Sequence, residues 1–339
     1  MLRRRPGEGS EHGRRGLGPP LEMANLPAVA LMAVTEELWR TIVPFMLPPD
    51  SPNLHMLLQV ATPEQRIKYL ESYGRGEARS CIAASEPGAG ADPSGIRTKA
   101  ELVGDEWVLN GRKTWVSWVP EADFLIVMAR VGSGKGHEGI TAFIVEKDTK
   151  GFVFEREIPM IGGYRTYELV IDDVRLAANA ILGSVGQGFA PMQLRFNVRR
   201  LQIGAWALGL ARCAHDMMCR HVKERTTFGA LLADRQTIQW WIADGAIKMH
   251  ACRLMIHDAA ARFDRGEDIR NAAAMVKIFA TEMVGEIADH AVQAFGAMGV
   301  TKELPLQLIA QKARVMRIYE GPSEVHRMTL ARRILKSVN

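Results

Sequence analysis

The chain has no Cys-x-x-Cys pair, and its four cysteines, Cys81, Cys213, Cys219 and Cys252, show no paired spacing. Nor does a secretory apolar segment follow the start. Together these absences exclude a disulfide-built secreted scaffold and point to a reducing compartment, a bacterial cytoplasm or a mitochondrial matrix. No apolar run reaches the roughly 18 residues needed to cross a bilayer. Stretches such as "LPAVALMAV" are too short, so no membrane partner is expected. The net charge of +5 is spread along the chain rather than gathered on one element, which argues against nucleic acid and suits an anionic small molecule. The histidines lack metal geometry: His250 and His257 stand seven apart on one helical stretch without a third ligand, and His215 and His221 likewise have no partners. No repeat of solenoid period is present. What remains is an ordinary globular composition, 47% hydrophobic and 24% charged over 339 residues, enough for a large core or two to three domains.

Four regions follow from the patterning. Residues 1–20 are rich in glycine and arginine and read as a disordered tail. Residues 21–80 are helical. In "TPEQRIKYLESY" Thr62 and Gln65 are set as a capping box, with Pro63 at the first helical position. Residues 81–183 are strand-like, a small barrel or sandwich, with Asn110-Gly111 the strongest local hairpin signal. Residues 184–339 are helical again and form a bundle. Ile238, Ile242, Gly245, Met249, Cys252, Ile256, Ala259 and Phe263 recur at alternating four- and three-residue steps, the seam of a shallow helix packing.

Several short stretches bear on chemistry, each with a plainer reading beside it. "SEPGAGADPSG" is no dinucleotide fingerprint, because Pro93 stands where the third glycine belongs, and it reads first as a glycine loop. Its dense backbone N–H groups also suit an anion or a carbonyl oxygen. In "KTWVSW", Trp115 and Ser117 share a strand face that could flank a flat heterocycle, although strand tryptophans are more often core. "KERTTFG" places Arg225 and Phe228 near a helix end, equally a phosphate site or a cap. "IYEGPSEVHR" sets Glu320 in a Tyr-Glu-Gly-Pro break that a surface helix does not need.

In order and separation, "TPEQRIKYLESYGRGE", "SEPGAGAD", "WVLNGRKTWVS", "GITAFIVEKDTKGF", "VRLAANAILGSVGQGF", "ERTTFGALLADRQ", "QAFGAMGV" and "IYEGPSEVHR" resemble the acyl-CoA dehydrogenase family. The resemblance spans about residues 17–335. It implies an α+β fold: partial N-terminal helices, a central β-barrel or sandwich domain and a long C-terminal four-helix bundle. It implies FAD, an acyl-CoA substrate, an electron-transfer flavoprotein as acceptor, and a homotetramer or homodimer. On that template Ala84, Ser85, Gly90, Trp115 and Ser117 meet the flavin ring. Arg225, Phe228, Gln236, Gln293 and Ala297 hold the far end of a partner's FAD, while Pro322 and Glu324 meet the flavin from their own subunit. Ala91, Asn197, Arg200, Tyr319, Gly321 and Arg332 fall at substrate positions.

Glu320 becomes the base that takes the α-proton of the thioester, its pKa expected to be raised by desolvation. The product is a trans-2-enoyl-CoA. Four positions depart from the family's usual residues: Ala91 for serine, Asn197 for an acid, Ala297 for glycine and Pro322 for threonine. The helices that normally precede the segment resembled by "GRRGLGPPLEMA" are missing, so a partner covers that surface or the start is set too late. The alternative these departures favour is a catalytically poor flavin-binding or assembly partner of a full-length relative.

Overall fold

The computed structural model describes residues 26–41 and 52–338, so the expected tail and the first residues of the helical stretch from Leu21 lie outside them. Helix α1 (Ala28–Arg40) has no side-chain cap of its own. Its free N–H groups are met instead by Asp264, whose carboxylate accepts from Ala28 at 2.6 Å and Val29 at 3.2 Å. α2 (Asn53–Val60) follows. α3 comprises Pro63–Gln65, a π-helical turn at Arg66–Leu70, and Glu71–Gly74. Its capping box is the expected one, Thr62 and Gln65 bonding each other reciprocally.

Eight strands form one mixed sheet: β1 (Ser80–Ala83), β2 (Lys99–Val103), β3 (Glu106–Val116), β4 (Phe124–Val131), β5 (Ile140–Glu146), β6 (Phe152–Pro159), β7 (Arg165–Ala177) and β8 (Ile181–Leu182). The order is β6-β7-β3-β2-β4-β5-β8, with β1 joining β4 in parallel. β4 is apolar without alternation because both of its faces are covered. Leu125, Val127 and Ala129 pack toward one core, and Phe124, Ile126 and Met128 toward another shared with α2 and α3.

Asn110-Gly111 is not a hairpin; β3 runs straight through it. The turn lies at Gly104-Asp105, between the paired Val103 and Glu106. Gly111 serves close approach instead, since a Cβ there would stand 2.4 Å from Thr98 Oγ1 and 2.7 Å from Thr98 Cα. Asn110 accepts from the Asp173 N–H across the sheet at 2.9 Å. Tertiary packing outranks the local turn signal.

The remaining chain is helical: α4 (Phe189–Val222), α5 (Gln236–Asp264), α6 (Arg270–Phe295), α7 (Leu306–Met316) and α8 (Ser323–Ser337). The hairpin between α4 and α5 carries β9 (Thr226–Thr227) and β10 (Ala230–Leu231). The expected α5 seam packs inward, with Ile242 and Phe263 partly buried and the rest of it buried. α4 is buried on nearly every side between α1, α5 and α6, which its run of Gly and Ala permits. At Gly209 an added Cβ would stand 2.4 Å from the Glu36 carbonyl oxygen of α1. Among the described residues no helix is long and apolar enough to cross a membrane, and none of their acids, cysteines and histidines cluster as a metal site.

Candidate active site

A cleft of about 1730 Å³ opens between the sheet, α4 and the α7–α8 connection. Its sheet wall starts where β1 ends. Glu86, in the loop after Ser85, accepts from the Arg97 N–H at 2.7 Å, the Thr98 N–H at 3.0 Å and Lys113 Nζ at 2.7 Å. Lys113 is fully buried, and burial pushes its pKa down to about 8 against the pull of Glu86. Burial pushes Glu86 up, but Lys113, Thr98 and the Arg97 N–H outweigh it and hold the carboxyl below its ordinary value. The pair is ionised at neutral pH and fixes the glycine loop against β3.

The register between β3 and β7 shifts from Lys113 to Val116. Inside that bulge Trp115 takes a left-handed backbone, φ 59°, and Trp118 follows at φ 64°. Both indoles stay about half exposed on the cleft wall. The expected strand face shared by Trp115 and Ser117 is therefore corrected: β3 ends at Val116, and a bulge rather than alternation aims these residues. No local sequence signal marks it.

Opposite lies the connection holding Glu320. Glu320 itself is left-handed (φ 55°) and Gly321 follows at φ 93°. A Cβ on Gly321 would stand 2.9 Å from His326 Nε2, so glycine is required twice over. Arg200 Nε donates to the Glu320 carbonyl oxygen at 3.2 Å, and His326 Nε2 lies 3.1 Å from the same atom. Lys277 Nζ donates to the Gly321 carbonyl oxygen. Burial first, then Arg200 and Lys277, push His326 down to about 3, so its ring is neutral. Asn197 accepts from Arg200 at 3.0 Å, which makes it a positioning group for that arginine.

The Glu320 carboxylate is held as firmly as its backbone. Arg195 Nη1 lies 2.6 Å from one oxygen and 2.8 Å from the other. Arg195 in turn donates from Nε to Asn53 at 3.1 Å, and Asn53 donates to Ser80 at 3.0 Å. The pair is sheltered, with 7% side-chain exposure for Arg195 and 15% for Glu320. The expected rise of the Glu320 pKa is reversed. Burial does push it up, but Arg195, Arg199 and Arg200 together hold it below the ordinary glutamate value.

Beyond Glu320 the cleft is lined with rings and cations. Trp39 stacks on Trp206 at 4.8 Å between centroids, and Tyr164 meets Tyr319 edge-on at 6.1 Å. Arg199 lies 4.8 Å over the Trp206 ring, and Lys312 Nζ 4.4 Å over that of Tyr164. Sequence reasoning missed Arg195, Arg199, Lys277 and Lys312. In the "RFNVRR" run only Arg200 is singled out.

Of the expected site residues, Ala84, Ser85, Gly90, Ala91, Trp115, Ser117, Asn197, Arg200, Tyr319, Glu320, Gly321, Pro322 and Arg332 all line this cleft. Arg225, Phe228, Gln236, Gln293, Ala297 and Glu324 do not. All but Glu324, at the start of α8, belong to a second place, where His221 at the end of α4 stacks on Phe295 at the end of α6. There Arg225, Gln236, Gln293 and Ala297 are exposed, and Phe228, left-handed at φ 51°, is fully so.

Residues 81–174 match the middle domain of acyl-CoA dehydrogenases, and residues 186–335 match their C-terminal domain. The chain is 40% identical over 310 residues to (R)-benzylsuccinyl-CoA dehydrogenase of Thauera aromatica, covering 89% of this chain and 76% of that one. It is 36% identical over 282 residues to the caffeyl-CoA reductase–Etf complex subunit CarC of Acetobacterium woodii, covering 83% and 74%. Among solved structures it resembles a glutaryl-CoA dehydrogenase from Mycobacterium smegmatis in complex with FADH2, at 25% identity and a TM-score of 0.83, covering 93% and 82%.

Proposed function

Since the chain belongs to the acyl-CoA dehydrogenase family, whose members are flavin-dependent oxidoreductases, we propose that it desaturates an acyl-CoA thioester between its α- and β-carbons. The observation that carries this reading is Glu320, the sheltered carboxylate that the fold holds in a left-handed turn on the wall of the cleft.

The cleft's residues fit a flavin. Two indoles are presented half exposed from a bulged strand end, Ser85 and Ser117 line the same cleft, and Gly90 leaves open space where a side chain would stand. In this reading Trp115 packs on the flat ring, and Ala84, Ser85 and Ser117 hydrogen-bond its rim. FAD, when bound, supplies the hydride acceptor for the β-carbon. Glu320 takes the α-proton, and its carboxylate must stand within hydrogen-bond reach of that carbon to do so. The Glu320 and Gly321 carbonyl oxygens are turned away toward Arg200, His326 and Lys277, which fixes the peptide units of the turn. The same groups serve the reverse direction, reduction of an enoyl thioester, and the caffeyl-CoA reductase relative favours keeping that reading beside the first. By the same relative, an electron-transfer flavoprotein is the proposed redox partner.

The exposed set Arg225, Phe228, Gln236 and Gln293 lies outside the cleft and is read as completing the cofactor site of a second copy. A homo-oligomer, dimer or tetramer, is therefore part of the proposal.

The test is an anaerobic titration of the purified flavin-loaded protein. Bleaching of the flavin band by a saturated acyl-CoA, or its recovery from the reduced form with an enoyl-CoA, is expected. A loaded protein that responds to neither across a panel of thioesters contradicts the reading.

A further inference from the structure

A weak carbon acid needs a strong base, yet Glu320 is held by Arg195 through both of its oxygens and its pKa is depressed. A carboxylate so paired is a weaker base toward an α-carbon than an unpaired buried one. The surroundings do not relieve this. Burial, then repulsion from Arg333 and Arg195, pushes Arg200 down to about 10 against the pull of Glu320, and burial followed by Arg200 pushes Lys277 to about 8. The other carboxylates on the cleft wall, Asp92, Glu121, Glu267 and Asp268, are exposed. Lys312, part-buried over two aromatic rings, has its pKa lowered by burial alone, with no acid offsetting it. Among the described residues, Arg195, Arg200 and Lys312 line the cleft with Glu320 as its one sheltered carboxylate, an arrangement that favours a second anion.

We propose that the acyl group of the substrate carries its own carboxylate, and that Arg195 exchanges Glu320 for it when the thioester binds. The proposal rests on the reading of Glu320 as the base. Arg195 is suited to the exchange because its Nε stays anchored on Asn53, leaving the Nη1 group that now faces both Glu320 oxygens to receive another carboxylate. The exchange keeps one buried ion pair at Arg195, while Arg199 and Arg200 still act on the anionic Glu320 carboxylate, which is released toward the α-carbon only when the correct substrate is present. An uncharged acyl chain leaves the ion pair closed. Such a device selects substrate by the differential cost of an unpaired buried charge, the kind of discrimination that apolar contacts do not reach. The Trp39, Tyr164, Trp206 and Tyr319 rings would then pack the remaining carbon skeleton.

The experiment uses the flavin-loaded protein and matched thioester pairs that differ only in a terminal carboxylate: succinyl-CoA against butyryl-CoA, glutaryl-CoA against pentanoyl-CoA, adipyl-CoA against hexanoyl-CoA. Equilibrium binding is measured by calorimetry, separately from turnover. At least one carboxylate-bearing member is expected to bind about tenfold or more tightly than its partner, a ratio that Arg195→Met brings close to one. Arg195→Lys is expected to restore part of it. Equal or weaker binding of the charged member in every pair, absence of binding included, overturns the proposal, as does an unchanged ratio in Arg195→Met. The base reading fails by a different result: Glu320→Gln turning over whichever thioester reacts at the wild-type rate.

Discussion

Glu320 sits between two demands, since its backbone must hold a left-handed turn and its side chain must share a guanidinium. The electrostatics give a signed expectation. A carboxylate whose folded pKa is depressed is ionised throughout the neutral range, and the stability it lends is present above its unfolded pKa and lost as pH falls through the folded one. The kcat/KM profile of the wild type should therefore show no acid limb from Glu320 between about pH 5 and 8. In Arg195→Met the limb should move up toward neutrality, because burial then acts without its largest counterweight. A limb that stays in place would mean that Arg195 does not set the basicity of Glu320. At Trp115 the expected outcome is different in kind: Trp115→Ala should weaken flavin retention on dialysis while leaving the α-proton chemistry of the remaining loaded fraction near wild type. At this scale the sequence placed Glu320, Trp115 and Arg200 in one cleft, chiefly through the family resemblance, but did not show how they are held. Arg195 does not stand out, because one arginine on a helix looks like the next until the fold sets it against a particular acid.

Between elements, the α7–α8 turn depends on His326 remaining neutral. Its folded pKa of about 3 lies below the unfolded value, so the unfolded chain binds the proton first and stability is lost as pH falls from about 6.5 toward 3. Near pH 5 this amounts to about 2 kcal/mol. His326→Gln should lose that much less on going from pH 7 to 5, read as the difference in denaturant midpoints at the two pH values. An identical pH dependence in the two proteins would remove His326 from the account. Gly111→Ala offers a second check at this scale. Its Cβ would meet Thr98 backbone and side chain at under 3 Å, and overpacking of that kind costs roughly 1–3 kcal/mol. The two glycines also mark how far local signals reach. Gly321 is readable, because a Glu-Gly-Pro break leaves few alternatives. Gly111 is misread as a turn, because the close pass of Thr98, just before β2, that requires it is invisible to its neighbours in sequence. The same holds for the β3 bulge at Trp115, whose cause lies in its pairing with β7.

For the molecule as a whole, the succession of helices, strands and helices is legible, since a period of two and a period near 3.6 are hard to confuse over long stretches. Strand order is not, because adjacency in the sheet follows neither chain order nor composition. That the proposed cofactor residues fall in more than one place was suggested only by the family resemblance. On the outer face of α5, Trp240, Ile247 and Leu254 recur every seven residues and are 60%, 66% and 56% exposed. This apolar stripe, like the fully exposed Phe228, is surface that a second copy would cover. Sedimentation of the flavin-loaded protein should give a dimer or tetramer, and Ile247→Glu should shift it toward monomer with loss of flavin. A monomer that retains one flavin per chain would refute the shared site.

The central claim is that Glu320 moves the α-proton. Its most direct test is exchange of that proton with solvent deuterium in the flavin-loaded enzyme, followed by mass spectrometry on a thioester that binds but cannot be desaturated. The wild type should exchange the α-hydrogen, and Glu320→Gln, with flavin still bound, should be slower by about 10²-fold or more. Exchange at the wild-type rate in Glu320→Gln would contradict the account.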